Sequence, residues 1–135
     1  MTFQWNSFLL LAEYLNNGVD NITGIDREAA FRTAISRAYY AAFNVAKNYA
    51  EKEFHSTGKN GSGSHDKLIN LYKEFGAEKK EYRMISTQLD RIKRNRTDAD
   101  YRLNFKDQAR PAYKACLTIK TSQNIIDLIN NIKNP

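Results

Sequence analysis

Apolar residues in this chain recur at steps of three and four, the period of one face of an α-helix. Trp5, Phe8, Leu9, Ala12 and Leu15 form the first such stripe, which stops at Asn16-Asn17-Gly18. Gly18 is expected to close that helix in the left-handed conformation. Thr23 and Asp26 then offer side-chain caps to a second helix. Its stripe is the strongest in the chain: Phe31, Ile35, Ala38, Ala42, Val45 and Tyr49, with no Gly or Pro from Asp26 to Ser56. At 1.5 Å per residue, about 28 residues reach roughly 40 Å, the length of a small bundle. The alanines of this segment, Ala29 to Ala46, let a neighbouring helix approach closely.

The stretch Ser56-Thr-Gly-Lys-Asn-Gly-Ser-Gly-Ser64 is low in complexity and reads as a mobile loop. A short third helix follows, with Leu68, Ile69, Leu71, Tyr72 and Phe75 apolar and Gly76 as its stop. In a fourth, Tyr82, Ile85, Leu89 and Ile92 lie on one stripe, while Lys79, Lys80, Arg83, Asp90 and Lys93 lie off it. The fifth runs from about Gln108 to Lys133, with Ala112, Cys116, Ile119, Ile126 and Ile129 expected on its inner face and Pro111 in its first turn. No strand-type alternation of useful length and no internal repeat is present. The fold expected is all-α: one domain over residues 1–135, an up-and-down bundle of four to five helices.

Composition narrows the class. At 135 residues, 41% hydrophobic and 27% charged, the chain fits one globular domain. Its one cysteine, Cys116, excludes an internal disulfide framework. The longest apolar run, Phe8 to Ala12, is too short to span a bilayer, and the start lacks the features of a signal peptide, so a cytoplasmic protein with no membrane contact is expected. The formal net charge is +6. From Lys67 to Arg110 there are twelve Lys and Arg against seven Asp and Glu, so a surplus of five sits in one third of the chain. A local basic surplus of this kind points to a polyanion.

Two histidines and one cysteine cannot supply a four-ligand zinc site, so no metal and no cofactor are expected. Gly58, Gly61 and Gly63 follow no strand and lead into no phosphate-loop signature. The informative segment is Leu89-Asp-Arg-Ile-Lys-Arg-Asn-Arg-Thr-Asp-Ala-Asp-Tyr101. On a helix, Arg91, Arg94, Asp98 and Tyr101 fall along one face, a guanidinium, carboxylate and phenol arrangement suited to a phosphate. The bland alternative is a solvated face in which Arg94 pairs with Asp98 and Arg96 with Asp100. A second candidate is Ile35 to Phe43, where Arg37, Tyr40 and Asn44 share a face; an arginine and an aromatic there can contact RNA, or the tyrosines can simply pack. His65, after Ser64, reads as a helix-start residue or as a base.

At these residues the chain resembles a known family. Arg32-Thr-Ala-Ile-Ser-Arg-Ala-Tyr-Tyr-Ala-Ala-Phe43 is similar to the long second helix of HEPN domains, the higher eukaryote and prokaryote nucleotide-binding family. Ser64-His65 before a short helix, and the Ala-Asp-Tyr ending at Tyr101, are similar to its uncharacterised bacterial and archaeal branch. The resemblance covers about residues 5 to 130. It implies a four- or five-helix bundle, a homodimer, and a nucleotidyltransferase partner in a toxin–antitoxin or defence pair. Many members are metal-independent ribonucleases with an Arg, a polar residue, a His and often a Tyr. Laid on this chain, that motif falls on Arg94, Asn95 and Tyr101, and its histidine position on Ala99. Alanine can neither accept nor donate the protons of RNA cleavage, leaving His65 or a carboxylate, Asp98 or Asp100, as substitutes.

Three readings follow. The first is a module that binds RNA or a nucleotide phosphate with a degenerate nuclease motif. Its expected contacts are Arg37, Tyr40, Arg91, Arg94 and Arg96, with Asn95 and Tyr101 beside them. The second is an active metal-independent ribonuclease whose catalytic candidates are Arg94, Asn95, Tyr101 and His65. The third is a non-catalytic dimeric scaffold for protein partners.

Overall fold

Asp26 begins the longest helix by accepting a hydrogen bond from the Ala29 amide at 2.9 Å, and the helix, α2, runs Arg27–Glu53. His55, at φ 55°, turns the chain out of it. The computed structural model describes residues 3–21, 26–56 and 63–135. Thr23 and most of the expected Ser56–Ser64 loop lie outside the described residues. Around α2 stand α1 (Asn6–Asn17), α3 (Ser64–Phe75), α4 (Lys80–Tyr101) and α5 (Pro111–Lys133), with a 3₁₀ turn at Val19–Asn21 and no strand among the described residues. The all-α bundle expected from the periodicity is the fold.

The central helix packs against α1, α4 and α5, while α3 packs on α4. Its two halves serve two apolar clusters. Toward its start, Ala30, Phe31, Ala34, Ile35 and Ala38 meet Leu9 and Ala12 of α1 and Ile119 of α5. Toward its end, Tyr39, Ala42, Phe43, Ala46 and Tyr49 meet Leu68 and Tyr72 of α3 and Ile85, Leu89 and Ile92 of α4. The small residues let hydroxyls cross between helices. Ser122 Oγ donates to the Ala38 carbonyl at 2.7 Å, Tyr72 Oη to the Ala46 carbonyl at 2.6 Å, and Ser86 Oγ to the Ile69 carbonyl at 2.9 Å. Burial pushes the Tyr72 phenol above its ordinary range, so it remains a donor.

Three sequence expectations change. Gly18 sits at φ −97°, not in the left-handed region; its need is space, because a Cβ there would lie 2.9 Å from the Tyr14 carbonyl oxygen. Cys116 and Ala112 face solvent. The buried face of α5 is instead Ala115, Thr118, Ile119, Ser122, Ile125, Ile126 and Ile129, so the true stripe is rotated and carries hydroxyls. Pro111 does take the first position of that helix, where its missing N–H is not required.

The end of α4 is tied to the start of α2 by one side chain. Arg32 Nη1 donates to the carbonyls of Asp98 (3.0 Å), Ala99 (2.8 Å) and Arg102 (2.8 Å), and Nη2 to that of Leu103 (2.7 Å). Its Nε is held by Glu28 at 2.8 Å, and its guanidinium lies 5.1 Å from the centre of the buried Phe105 ring. A helix ends with unsatisfied carbonyls and a partial negative charge, and this cation meets both needs. Replacing it with lysine keeps the charge but loses the fork. Arg32→Lys is expected to lower stability by about 2 kcal/mol or more, since charged hydrogen bonds contribute about 1.5–3 kcal/mol each when a buried partner is stranded. A urea titration reads this as a lower midpoint at unchanged slope.

Candidate phosphate-binding site

The Arg32 clamp sets α2 and α4 antiparallel and in step. One turn beyond it, Ser36 Oγ lies 3.4 Å from the Asp100 carboxylate. A turn further, Arg96 Nη2 donates to the Tyr40 hydroxyl at 2.8 Å, while Arg96 Nε donates to Asp100 at 3.0 Å. The Arg96 guanidinium also lies 5.2 Å from the centre of the Tyr40 ring and 5.4 Å from that of Tyr101, whose side chain is otherwise open to solvent at 72% exposure. Arg37 approaches the Tyr40 ring at 5.4 Å and the Phe8 ring at 4.8 Å. Two guanidinium groups therefore share one tyrosine.

His65 completes the cluster from the first turn of α3. Its ring stacks on Phe43 (4.2 Å between centres, 16° between planes) and on Tyr39 (5.6 Å, 19°), and meets Tyr40 edge-on at 6.0 Å. Its Nδ1 is hydrogen-bonded to the Tyr39 hydroxyl. Tyr39 is fully buried, and burial raises its phenol above the ordinary range, so that hydroxyl keeps its proton. Among the described residues the proton has no acceptor other than His65 Nδ1. Neutral His65 thus carries its own proton on Nε2. Burial lowers the His65 pKa, and the nearby charges of Arg96 and Lys93 lower it further against the opposing effect of Asp66. Lys93 is itself bonded to Asp66.

The charges around this cluster do not cancel. Arg96 has Asp100 and Lys93 has Asp66, but Arg37 meets only aromatic rings and, at 3.5 Å, the Ser36 hydroxyl. It is a half-buried cation with no carboxylate among the described residues. Such an arrangement offers an anion a guanidinium fork that is already oriented and partly dehydrated.

The two segments singled out in the sequence therefore meet, but not through the residues of the expected motif. Arg94 points outward, 77% exposed, and pairs with Asp90 at 2.7 Å rather than with Asp98. Asn95 is buried and donates to Thr118 Oγ1 at 3.1 Å, bracing α4 against α5. Asp98 is also buried; it pairs with Arg102 at 2.9 Å and accepts from the Lys106 amide at 3.2 Å. Ala99 is buried in the apolar cluster that includes Phe31, Ile35 and Phe105, so a side chain there does not enter the site. Arg91 faces α5. Of the expected face, Arg91, Arg94 and Asp98 line one cavity together with Asn95, whereas Tyr101 lies apart from them and reaches the cluster. The expected Arg96–Asp100 pair is present. Asn44 bonds the Tyr40 carbonyl of its own helix at 2.8 Å and takes no part.

Sequence reasoning missed Arg32 as the positioning residue and Ser36 as a neighbour of Asp100. A signal for the second existed. Ser36 and Tyr40 are four residues apart, as are Arg96 and Asp100, so two helices antiparallel and in step bring both pairs together.

No protein-family model, no curated protein and no solved structure matches this chain.

The lowered His65 pKa fixes the sign of a pH effect. Between the folded value and the unfolded value of about 6.5, the unfolded chain holds the extra proton. The contribution of His65 to stability is whole above that unfolded value and is lost as pH falls through the folded pKa. His65 ring-proton shifts followed by NMR are expected to titrate below the ordinary histidine midpoint. The acid-side loss of stability just below pH ~6.5 should shrink in His65→Gln.

Proposed function

We propose that this chain is a HEPN-type helical module that binds RNA by its phosphates at the cluster of Arg37, Tyr40, Arg96 and Tyr101. The observation that carries this reading is the pair of guanidinium groups on Tyr40, one of them without a carboxylate, beside an exposed tyrosine. Arg37 and Arg96 supply charge and forked donors to a phosphate, and Tyr101 supplies an aromatic face on which an unpaired base can stack. His65 offers Nε2–H as a further donor from the α3 side. The resemblance over residues 5 to 130 supports the same class, and with it a homodimer and a nucleotidyltransferase partner.

Metal-independent RNA cleavage is the second reading, and the position of His65 within reach of the Arg96 field favours it. Cleavage needs a base for the attacking 2′-hydroxyl and an acid for the leaving oxygen. The Tyr39 bond works against the first role. It occupies the acceptor nitrogen of His65 and leaves the open nitrogen protonated, so the neutral ring donates a hydrogen bond outward and accepts none there. Binding without turnover is the function this geometry supports best.

Fluorescence anisotropy with a labelled single-stranded oligoribonucleotide tests it. Arg37→Gln with Arg96→Gln is expected to weaken binding by about 10-fold or more and to reduce the salt slope by about 0.7 for each phosphate no longer neutralised. Unchanged affinity in a variant of intact helicity removes the proposal. Cleavage of the same RNA in EDTA, abolished by His65→Ala, replaces it with the ribonuclease reading.

A further inference from the structure

The arginines of α4 divide by partner. Arg94 is held by Asp90 and Arg96 by Asp100, whereas Arg83 and Arg91 make no ion pair among the described residues. Both unpaired arginines line the same open groove between α4 and α5, about 540 Å³ in volume. Lys120 of α5, also without an ion pair among the described residues, lines it too. No carboxylate lines this groove. Like charges left together without counter-charges repel one another, and an anion in the groove relieves that repulsion.

The remaining lining suits a nucleic-acid backbone. Gln88 and Asn124 present amide groups that both donate and accept, and Asn124 Nδ2 bridges the helices by donating to Gln88 Oε1 at 2.7 Å. Thr87 Oγ1, which donates to the Arg83 carbonyl at 3.1 Å, adds an acceptor. Arg83, Thr87 and Arg91 follow one another at four-residue steps, a rise of about 6 Å each along the helix axis. That repeat is comparable to the separation of neighbouring phosphates in an extended strand. The lining has no aromatic anchor, and its one large apolar side chain is the partly exposed Met84, so it lacks the apolar centre of a protein interface. Arginine forks, hydroxyls and amides are the groups that hold phosphate and sugar.

We propose that this α4–α5 groove binds the sugar-phosphate backbone of single-stranded RNA, as a track separate from the Arg96 cluster. The two surfaces lie on different flanks of one helix: Arg91 and Arg96 are five residues apart, roughly 140° around the axis. The track has a definite lower limit. An adjoining cavity shares Thr87 and Arg91, but there Arg94 and Lys114 are each matched by an acid, Asp90 and Asp107. At the other end Arg83 Nη1 lies 3.4 Å from the Gly76 carbonyl, the close approach of α4 to the end of α3 leaving no room for a side chain at Gly76.

The test uses the full chain, a fluorescein-labelled oligouridylate, and an oligoglutamate of matched charge. Arg91→Gln with Lys120→Gln changes two exposed side chains and should leave the helical circular dichroism intact. The expected result is a loss of oligouridylate affinity of about 10-fold or more at low salt, with the slope of log K against log salt reduced by about 1.4. Affinity and slope unchanged in the folded variant overturn the proposal. Oligoglutamate binding as tightly as the RNA, and weakened equally by the same variant, assigns the groove to an acidic protein and overturns it as well. Comparison with Arg37→Gln, Arg96→Gln separates the two surfaces. Loss confined to the groove variant upholds the track and removes the cluster reading, loss confined to the cluster variant does the reverse, and loss in both upholds both.

Discussion

The Arg32 guanidinium is the contact on which the arrangement of this bundle depends. A helix of 22 residues such as α4 presents its last carbonyls and the negative end of its dipole at one point, and that point lies against the start of α2. A single planar cation with four carbonyl acceptors satisfies the end of α4 and the turn after it together. Because the fork fits in one orientation, it also sets the register between the two helices. The step of four along α2 from Ser36 to Tyr40 is then matched by a step of four back along α4, from Asp100 to Arg96. The cluster on that flank follows from the clamp.

A helix has room for more than one kind of face, and α4 uses three. Ile85, Leu89 and Ile92 face the core. Lys93, Arg96 and Asp100 face α2 and α3, where Asp66 pairs with Lys93, the Tyr40 ring lies against Arg96 and Ser36 lies near Asp100. Arg83 and Arg91 face α5 across an open groove. Within the basic surplus from Lys67 to Arg110, Arg96 on one side and Arg83 and Arg91 on the other therefore lie on different flanks of α4. Exposed i, i+4 pairs such as Arg94 with Asp90 contribute only a few tenths of a kcal/mol and neutralise themselves. The charge available to a partner is what such pairing leaves over, and it includes Arg37 on one flank and Arg83, Arg91 and Lys120 on the other.

The helices were legible because their stripes are regular, and where a stripe is irregular the reading failed for a physical reason. On α5, Thr118, Thr121 and Ser122 are buried as fully as the isoleucines, and the hydroxyls of Thr118 and Ser122 are engaged with carbonyls or amides inside the bundle. Counting only apolar residues rotates that face and draws Cys116 inward. The site was legible only in halves. Residues 36–40 and 91–101 each stood out, but which of four basic residues meets Tyr40 depends on helix register, a long-range property that the side chain of Arg32 sets. The exchange of partners by Asp98, from Arg94 to Arg102, has the same origin: its carboxylate turns toward the chain after α4, where the Lys106 amide also needs an acceptor.

The alanine at position 99 takes on a different meaning in this geometry. As a gap in a nuclease motif it signals a lost histidine. In the bundle it is buried in an apolar cluster with Phe31, Ile35 and Phe105, and its carbonyl is one of those that Arg32 holds. A histidine there would add bulk and polarity to the core rather than a proton carrier to the site. The imidazole at the cluster comes from α3, and its chemistry is governed by a neighbour rather than by its sequence context. Buried Tyr39 retains its proton, and with that proton donated to Nδ1 the ring's own hydrogen sits on Nε2. For the same ring to accept a proton at Nε2, Tyr39 would have to turn its hydroxyl proton away and accept from Nδ1–H instead, which strands a buried donor. Within this cluster it is the bond to Tyr39 that governs which ring nitrogen of His65 can take up a proton.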